Sequence, residues 1–216
     1  MSVELDAPVR AAPVVRWLGR ADYAQTLEAM RAFTAKRGPR TADELWLLEH
    51  PPVYTLGLAA DAAHGPRGPH GIPLVRVERG GEITYHGPGQ LVLYTLVDLG
   101  RRDIKVREYV RLLEQSVIDL LAAHRVTGER KPGAPGIYVD GAKVAALGIR
   151  VTRGCTLHGL ALNVDMDLAP FSAIDPCGYP GLAVTQTKAL GMTAGVEAIG
   201  DELARRFAAL LGDKHA

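Results

Sequence analysis

The chain has 216 residues, 47% hydrophobic and 23% charged, enough for one globular domain with a sizeable core. A formal net charge of +1 gives no overall pull toward nucleic acid or a membrane surface, so any electrostatic docking must come from local patches. Two cysteines, Cys155 and Cys177, are too few for a disulfide framework, and no apolar run approaches the ~20 residues that span a bilayer. The opening residues lack the apolar segment of a signal peptide, so a cytoplasmic location is expected. Residues 1–216 read as a single domain, with about 1–13 a loose arm.

A strand is expected at about Val14 to Leu18, then a helix from about Asp22 to Lys36, where Tyr23, Leu27, Met30 and Phe33 recur at helical spacing. Glu44 to Glu49 and Val53 to Leu56 read as strands on either side of the Pro51-Pro52 break. Ala59 to Pro73 is a loop rich in Gly, Pro and His, of a length usually functional or mobile. Leu74 to Glu78, Ile83 to Tyr85 and Gln90 to Val97 follow as strands. A second helix, about Val106 to His124, places Val110, Leu113, Val117 and Leu120 on one face. Asp140-Gly141 supplies the positive φ angles of a tight hairpin turn, so Lys143 begins the returning strand. Thr156 to Val164 is another strand, and a last helix at about Val196 to Leu211 packs Leu203, Phe207 and Leu210. Adjacent hairpin strands with few helices between them predict an α+β fold, its sheet largely antiparallel or mixed and flanked by helices.

Cys177 stands in Asp175-Pro176-Cys177-Gly178-Tyr179-Pro180, too crowded with Pro and Gly to continue a helix or strand. A thiol on such a turn suits attack on a carbonyl, although most free cysteines are structural. A free thiol of pKa ~8.5 is mostly protonated at neutral pH, and a neighbouring ammonium would favour the thiolate. Lys143 is the candidate, although its spacing alone fits an exposed lysine beside a turn better. The Arg79-Gly80-Gly81 turn and Gly87-Pro88-Gly89 can let backbone approach a ligand closely. Cys155 and His158, supplemented by Cys177 and His86, invite a zinc reading. A metal-bound Cys177 would be a poor nucleophile, and a second paired ligand set is missing. Neither a Walker A sequence nor a dinucleotide-binding glycine run is present. Basic residues gather at Arg101, Arg102, Lys105, Arg107 and Arg111, and again at Arg150 and Arg153, either as a solvated face or as a docking surface for an acidic partner.

RGGEITYHGPGQ at 79–90, the Lys143 strand, HGLALN at 158–163 and PCGY at 176–179 occur in one order. Over roughly residues 40 to 190 they resemble the lipoyl(octanoyl) transferases. Two positions differ from that pattern: Ala146 stands where many members carry a small hydroxyl residue, and Thr95 follows Tyr94 where proline is common. The resemblance implies the fold of biotin and lipoate protein ligases. It implies transfer of octanoyl from octanoyl-acyl carrier protein, through a Cys177 thioester, to a lysine of lipoyl domains. Those domains belong to 2-oxoacid dehydrogenase E2 subunits and the glycine cleavage H protein. Lys143 would act first as a cation beside the thiolate and then as a proton shuttle. Substrate-binding positions implied are Arg79, Gly80, Gly81, Glu82, Ile83, Thr84, Tyr85 and His86 on one side. Ala146, Leu147, Gly148, His158, Gly159, Leu160 and Ala161 form the other. Neither ATP nor a metal is expected, and the protein is expected to be a monomer without nucleic-acid or membrane partners. Competing readings are an ATP-dependent lipoate or octanoate ligase, a non-catalytic binding module, and a thioester hydrolase.

Overall fold

The computed structural model describes residues 11–60, 65–67, 71–175 and 181–212. Strand β1 (Val14–Arg20) leads into helix α1 (Tyr23–Lys36), whose start is fixed by the Asp22 carboxylate accepting from the Gln25 N–H at 2.9 Å. The helix buries Tyr23, Leu27 and Met30, as their spacing predicts, while Phe33 is half-buried edge-on to Trp46. Strands β2 (Glu44–Glu49) and β3 (Val53–Leu56) flank the double proline. Then come β4 (Leu74–Arg76), β5 (Ile83–His86), β6 (Gln90–Leu96), α2 (Leu99–Arg102) and α3 (Val106–Ala123). Strands β7 (Glu129–Lys131), β8 (Ala134–Val139), β9 (Ala142–Thr152) and β10 (Cys155–Asn163) precede α4 (Val196–Gly212). Short 3-10 turns lie at Ala169–Ala173 and Thr187–Leu190.

The main sheet has seven strands in the order β1-β2-β6-β10-β9-β8-β7. Only β1 and β2 run parallel, joined by the α1 crossover; the remaining pairs are antiparallel. A second sheet, β4-β3-β5, is mixed. This is the mixed-sheet α+β architecture the sequence predicts. Asp140 and Gly141 take φ of 48° and 82°, closing the β8–β9 hairpin as their residue types require.

Alternation divides the core in two. Leu45, Leu47, Leu91, Leu93, Leu160 and Leu162 pack under α3 and α4, whose contributions include Leu113, Val117, Leu203 and Phe207. Trp46, Leu48, Val92, Tyr94 and Ala161 face the other way, toward Tyr23, Leu27 and Met30 of α1. The α3 face differs from expectation at one end: Val110 is only half-buried, and the fully buried stripe runs through Tyr109, Leu113, Val117 and Leu120. Two short elements carried no sequence signal. β7 is entirely exposed and charged, held by its backbone ladder to β8, and α2 is a single turn capped by Asp98.

Candidate active site

The open face of the main sheet carries a trough made by small residues. Ala146 pairs with Ala161, and Gly148 with Gly159, across β9 and β10; Ala161 and Gly159 in turn oppose Val92 and Tyr94 on β6. Directly opposed residues share a face, so four small side chains sit together and leave a hollow. A Cβ on Gly148 would lie 2.8 Å from the Gly80 carbonyl oxygen, and one on Gly159 only 2.1 Å from that of Leu93. Backbone therefore approaches too closely at both positions for any other residue without movement.

The facing wall is the segment from Arg79 to His86. Arg79 is buried, donating to the Gly80 carbonyl at 3.0 Å and to the Thr55 carbonyl and hydroxyl at 2.9 and 2.8 Å. It thereby braces the glycine turn against β3, while the Gly80 N–H donates to the Ile149 carbonyl at 3.0 Å and ties that turn to β9. The cavity between the two walls, about 50 Å³, is lined by Arg79, Gly81, Glu82, Ile83, Thr84 and His86 on this side. Ala146, Leu147, Gly148, His158, Gly159, Leu160 and Ala161 line it on the other. A wider pocket of about 450 Å³ shares Gly81, Glu82, Leu147 and Gly148 with it and adds Gly80, Val110 and Pro135.

Of the residues expected here, Tyr85 does not reach either pocket. Alternate residues of a strand face opposite sides, and its ring packs against Tyr54 and Phe171 at 5.4 and 5.5 Å, in the core of the small sheet. Tyr23, Val92 and Tyr94 do line the narrow cavity, though sequence reasoning passed over them. Tyr23 reads as an ordinary core position of an amphipathic helix. The available signal was a hydroxyl on an otherwise apolar β6 position, where a buried polar atom needs a partner.

Both pocket histidines are kept neutral. Burial lowers His86 to about 3, helped by the charges of His50 and Arg79. Burial likewise lowers His158 to about 3, with Arg79 and Arg31 adding to it. His158 also takes φ of 63°, a left-handed conformation uncommon outside glycine, and pairing of β10 with β6 starts only at the next residue. The hydroxyl of Thr95 donates to the His158 carbonyl at 3.2 Å, so that position supports the kink.

Lys143 is 3% exposed. Its ammonium donates to the Pro135 carbonyl at 3.0 Å and lies 5.1 Å from the centre of the Tyr138 ring. Pro135 borders the wider pocket, so the lysine stands just behind that wall. The backbone of Lys143 donates to the Ala183 carbonyl at 2.8 Å and accepts from the Thr185 N–H at 2.9 Å. Cys177 lies outside the described residues. On its N-terminal side, Asp175 accepts from Arg67 at 2.9 Å, and the Arg67 N–H donates to the Ala173 carbonyl at 2.8 Å.

Cys155 is buried, and burial raises its pKa, with the Arg37 charge acting against that. It borders a pocket with Arg37, Asp98 and Arg101 rather than the trough. Among the described residues no three metal-ligating side chains come together, and no helix is long and apolar enough to cross a membrane.

The basic run divides into two groups with different surroundings. Arg101 and Arg102 turn inward and, with Arg37, converge on the buried Asp43 carboxylate. Burial alone would raise Asp43; the Asp98 N–H and the Arg102 and Arg37 guanidiniums outweigh it and hold the carboxyl below its ordinary range. Lys105, Arg107 and Arg111 instead border an open surface groove, joined by Arg130 from β7. Arg150 and Arg153 remain exposed, with Arg153 donating to the Thr34 carbonyl at 3.0 Å.

The sequence profile of the lipoyl protein ligase A/B catalytic domain matches residues 22–208. An octanoyltransferase of Thiobacillus denitrificans is 64% identical over 184 residues, covering 85% of this chain and 84% of its own. One of Azoarcus sp. (strain BH72) is 59% identical over 205 residues, covering 95% and 90%. Among solved structures, lipoate-protein ligase A bound with ATP superposes with a TM-score of 0.76 at 17% identity, over 94% of this chain and 86% of that one. Biotin protein ligase from Aquifex aeolicus, with biotin and ATP, gives 0.59 at 12% over 92% and 70%. The chain belongs to the lipoyl protein ligase A/B catalytic-domain family, among its octanoyltransferase members, which are acyltransferases.

Proposed function

We propose that octanoyl transfer proceeds through a thioester on Cys177, with Lys143 as the neighbouring base and cation. The observation that carries this reading is the anchoring of both flanks of the Cys177 segment. One flank is held at Asp175 by Arg67, and the other is paired along the backbone of Lys143 itself. In the first step the Cys177 thiolate attacks the carbonyl of octanoyl-acyl carrier protein. The new C–S bond forms as the bond to the carrier breaks, and the carrier sulfur leaves as a thiol with a proton from the Lys143 ammonium, which leaves Lys143 neutral. In the second step the amine of a lipoyl-domain lysine attacks the Cys177 thioester, forming an amide and returning the thiolate. That lysine, with an ordinary pKa of ~10.4, must first lose one proton to solvent, and neutral Lys143 takes the second as the amide forms.

The trough and the wider pocket together accommodate the acyl chain. Each methylene withdrawn from water contributes ~0.8 kcal/mol. Thioester exchange is nearly balanced and amide formation drives the sequence, so the reading requires neither nucleotide nor metal. The partners are octanoyl-acyl carrier protein and the lipoyl domains of E2 subunits and the glycine cleavage H protein. Residues 1–216 form one catalytic domain, working in the reducing cytoplasm. A lipoate-protein ligase with bound ATP shares the fold, but at 17% identity the likeness speaks for architecture alone.

Intact mass after incubation with octanoyl-acyl carrier protein tests the proposal. One octanoyl group should appear on wild type and on Cys155→Ala, and none on Cys177→Ala. Labelling that persists in Cys177→Ala removes the nucleophile. Modification of a lipoyl domain from free octanoate, ATP and magnesium, retained in Cys177→Ala, would instead establish a ligase.

A further inference from the structure

Beside the trough, His50 and Tyr94 form a hydrogen-bonded pair whose proton positions follow from the geometry, and Tyr23 packs against His50. His50 is fully buried, with Nδ1 2.6 Å from the Ala21 carbonyl oxygen and Nε2 2.7 Å from the Tyr94 hydroxyl. A carbonyl can only accept, so Nδ1 carries the hydrogen. Burial disfavours the charged ring, which leaves Nε2 bare, and the Tyr94 hydroxyl donates to it. Tyr23 packs beside this pair, its ring centre 5.0 Å from that of His50.

The neighbouring histidine is fixed in the same manner. The Gln90 amide nitrogen donates to the Tyr85 carbonyl and to Asn163, which turns its oxygen toward Nδ1 of His86, at 2.7 Å. Tyr23 stacks on His86 with ring centres 5.9 Å apart and planes 18° off parallel. The polar atoms of His50 and Tyr94 are thus spent on one another and on backbone, which leaves the Tyr94 ring as the surface this pair turns to the cavity. Such a wall can meet a hydrocarbon without stranding a buried polar group.

Its depth matches a short chain. Val144 is the extra residue of a bulge opposite Ile137 and Tyr138, so at ~3.3 Å per ladder step Ala146 lies about 7 Å beyond Lys143 and Gly148 about 13 Å beyond it. An extended octanoyl chain spans about 9 Å at ordinary bond lengths. A chain that begins beside Lys143 therefore ends in the trough just past Ala146 and Ala161, whereas a dodecanoyl chain, at about 14 Å, would reach the level of Gly148. Tyr94 stands at the level of Gly148, two strands across, and Tyr23 lines the same cavity. From this geometry we propose that Tyr23 and Tyr94, held in place by His50, close the inner end of the acyl pocket and set the longest chain the enzyme accepts. The proposal rests on the acyl-pocket reading above. Within it, Tyr23 and Tyr94 determine specificity and His50 is a positioning residue.

The test compares kcat/KM for octanoyl-, decanoyl- and dodecanoyl-acyl carrier protein, with intact mass at Cys177 as a second readout. Wild type should discriminate against dodecanoyl. Tyr23→Leu should raise the dodecanoyl-to-octanoyl ratio at least tenfold, and Tyr94→Leu serves the same purpose where Tyr23→Leu fails to fold. His50→Leu should raise the ratio a few-fold by releasing Tyr94. His50→Gln, whose amide oxygen can still accept from Tyr94, should restore the wild-type ratio, which a merely structural role would not produce. Wild type that accepts dodecanoyl as readily as octanoyl overturns the proposal, as do leucine variants that lose all chain lengths in equal proportion. Wild type that accepts no octanoyl thioester would sink the transfer mechanism itself, a distinguishable failure.

Discussion

Leu160 and Ala161 are neighbours on β10 and face opposite sides of the main sheet. Leu160 joins Leu47 and Leu93 under α3 and α4, where large aliphatic side chains fill every row. On Ala161's side, the rows run through Ala146 and Val92, and through Gly148, Gly159 and Tyr94, and a hollow remains. The same strands thus supply packed core on one face and a cavity on the other, and side-chain size at alternate positions makes the difference. A packed face stabilises because interiors are dense and voids cost contacts. A hollow face gives up that stabilisation, and a bound acyl chain can supply the missing contacts.

The sharpest break in the comparison concerns the hollow face alone. Lys143→Met keeps much of the side-chain bulk and removes the charge. If the ammonium both favours the thiolate and moves the proton, transfer should slow about 100-fold or more, within the range of general acid–base contributions. The pH at which Cys177 is alkylated should also rise, because an anion has lost a positive neighbour, each unit corresponding to ~1.4 kcal/mol. An unchanged alkylation profile with normal melting rejects the electrostatic role.

The filled face should respond in the opposite sense. Leu93 is fully buried between Leu47 and Leu160, and Leu93→Ala should cost about 2–5 kcal/mol through lost transfer energy and the cavity left behind. Chain-length selectivity among the surviving folded molecules should not change. Thermal melts and the donor ratio check the two halves separately. Altered selectivity would show that the two faces are coupled.

Far more of the filled face than of the hollow one was legible in the sequence. Alternating aliphatics, helical spacing on α3 and α4, and the Asp140-Gly141 turn are local signals, and the elements they predict are present within a residue or two. A trough is not local: Ala146, Gly148, Gly159 and Ala161 become a hollow only through the β9–β10 register. Only family resemblance marks these four positions in the sequence, whereas His50, Tyr23 and Tyr94 have no motif to mark them. The Arg101–Arg107 run failed for a related reason. Sequence shows a basic cluster, but only the fold shows that Asp43, nearly sixty residues earlier, withdraws two of its members from the surface. β7 was missed because its pairing is carried by backbone, and its charged residues alternate with nothing apolar.

Acid provides a weaker probe of the hollow face. His158 stays neutral in the fold down to about 3, while in the unfolded chain it protonates below its ordinary ~6.5. The unfolded state therefore binds more protons between those values, and stability is fully present above ~6.5 and lost as pH falls toward 3. Melting temperature should drop between pH 7 and pH 5. His158→Asn, a residue that tolerates the left-handed backbone there, should flatten the dependence by at most ~1.4 kcal/mol per pH unit. An identical slope in the variant would mean that His158 titrates as if exposed.

The smallest effect is also the most local test of the hollow. Gly148 and Gly159 are poor places to fill it, since a Cβ there meets backbone oxygen and the fold itself would shift. Ala161 and Gly80 are better: Ala161 already carries a side chain on the trough floor, and a Cβ on Gly80 would sit 3.5 Å from the Ile149 oxygen, an ordinary contact. Ala161→Val adds two methyl groups where the distal methylenes of an octanoyl chain would lie. Displacing one or two methylenes forfeits ~0.8 kcal/mol each, so octanoyl transfer should fall roughly four- to fifteenfold relative to butanoyl transfer, with melting nearly unchanged. Gly80→Ala, at the boundary with the wider pocket, should act in the same direction and more weakly. Equal losses for the long and short donors would mean that the acyl chain does not lie along the trough, and the contrast between the two faces would then have another cause.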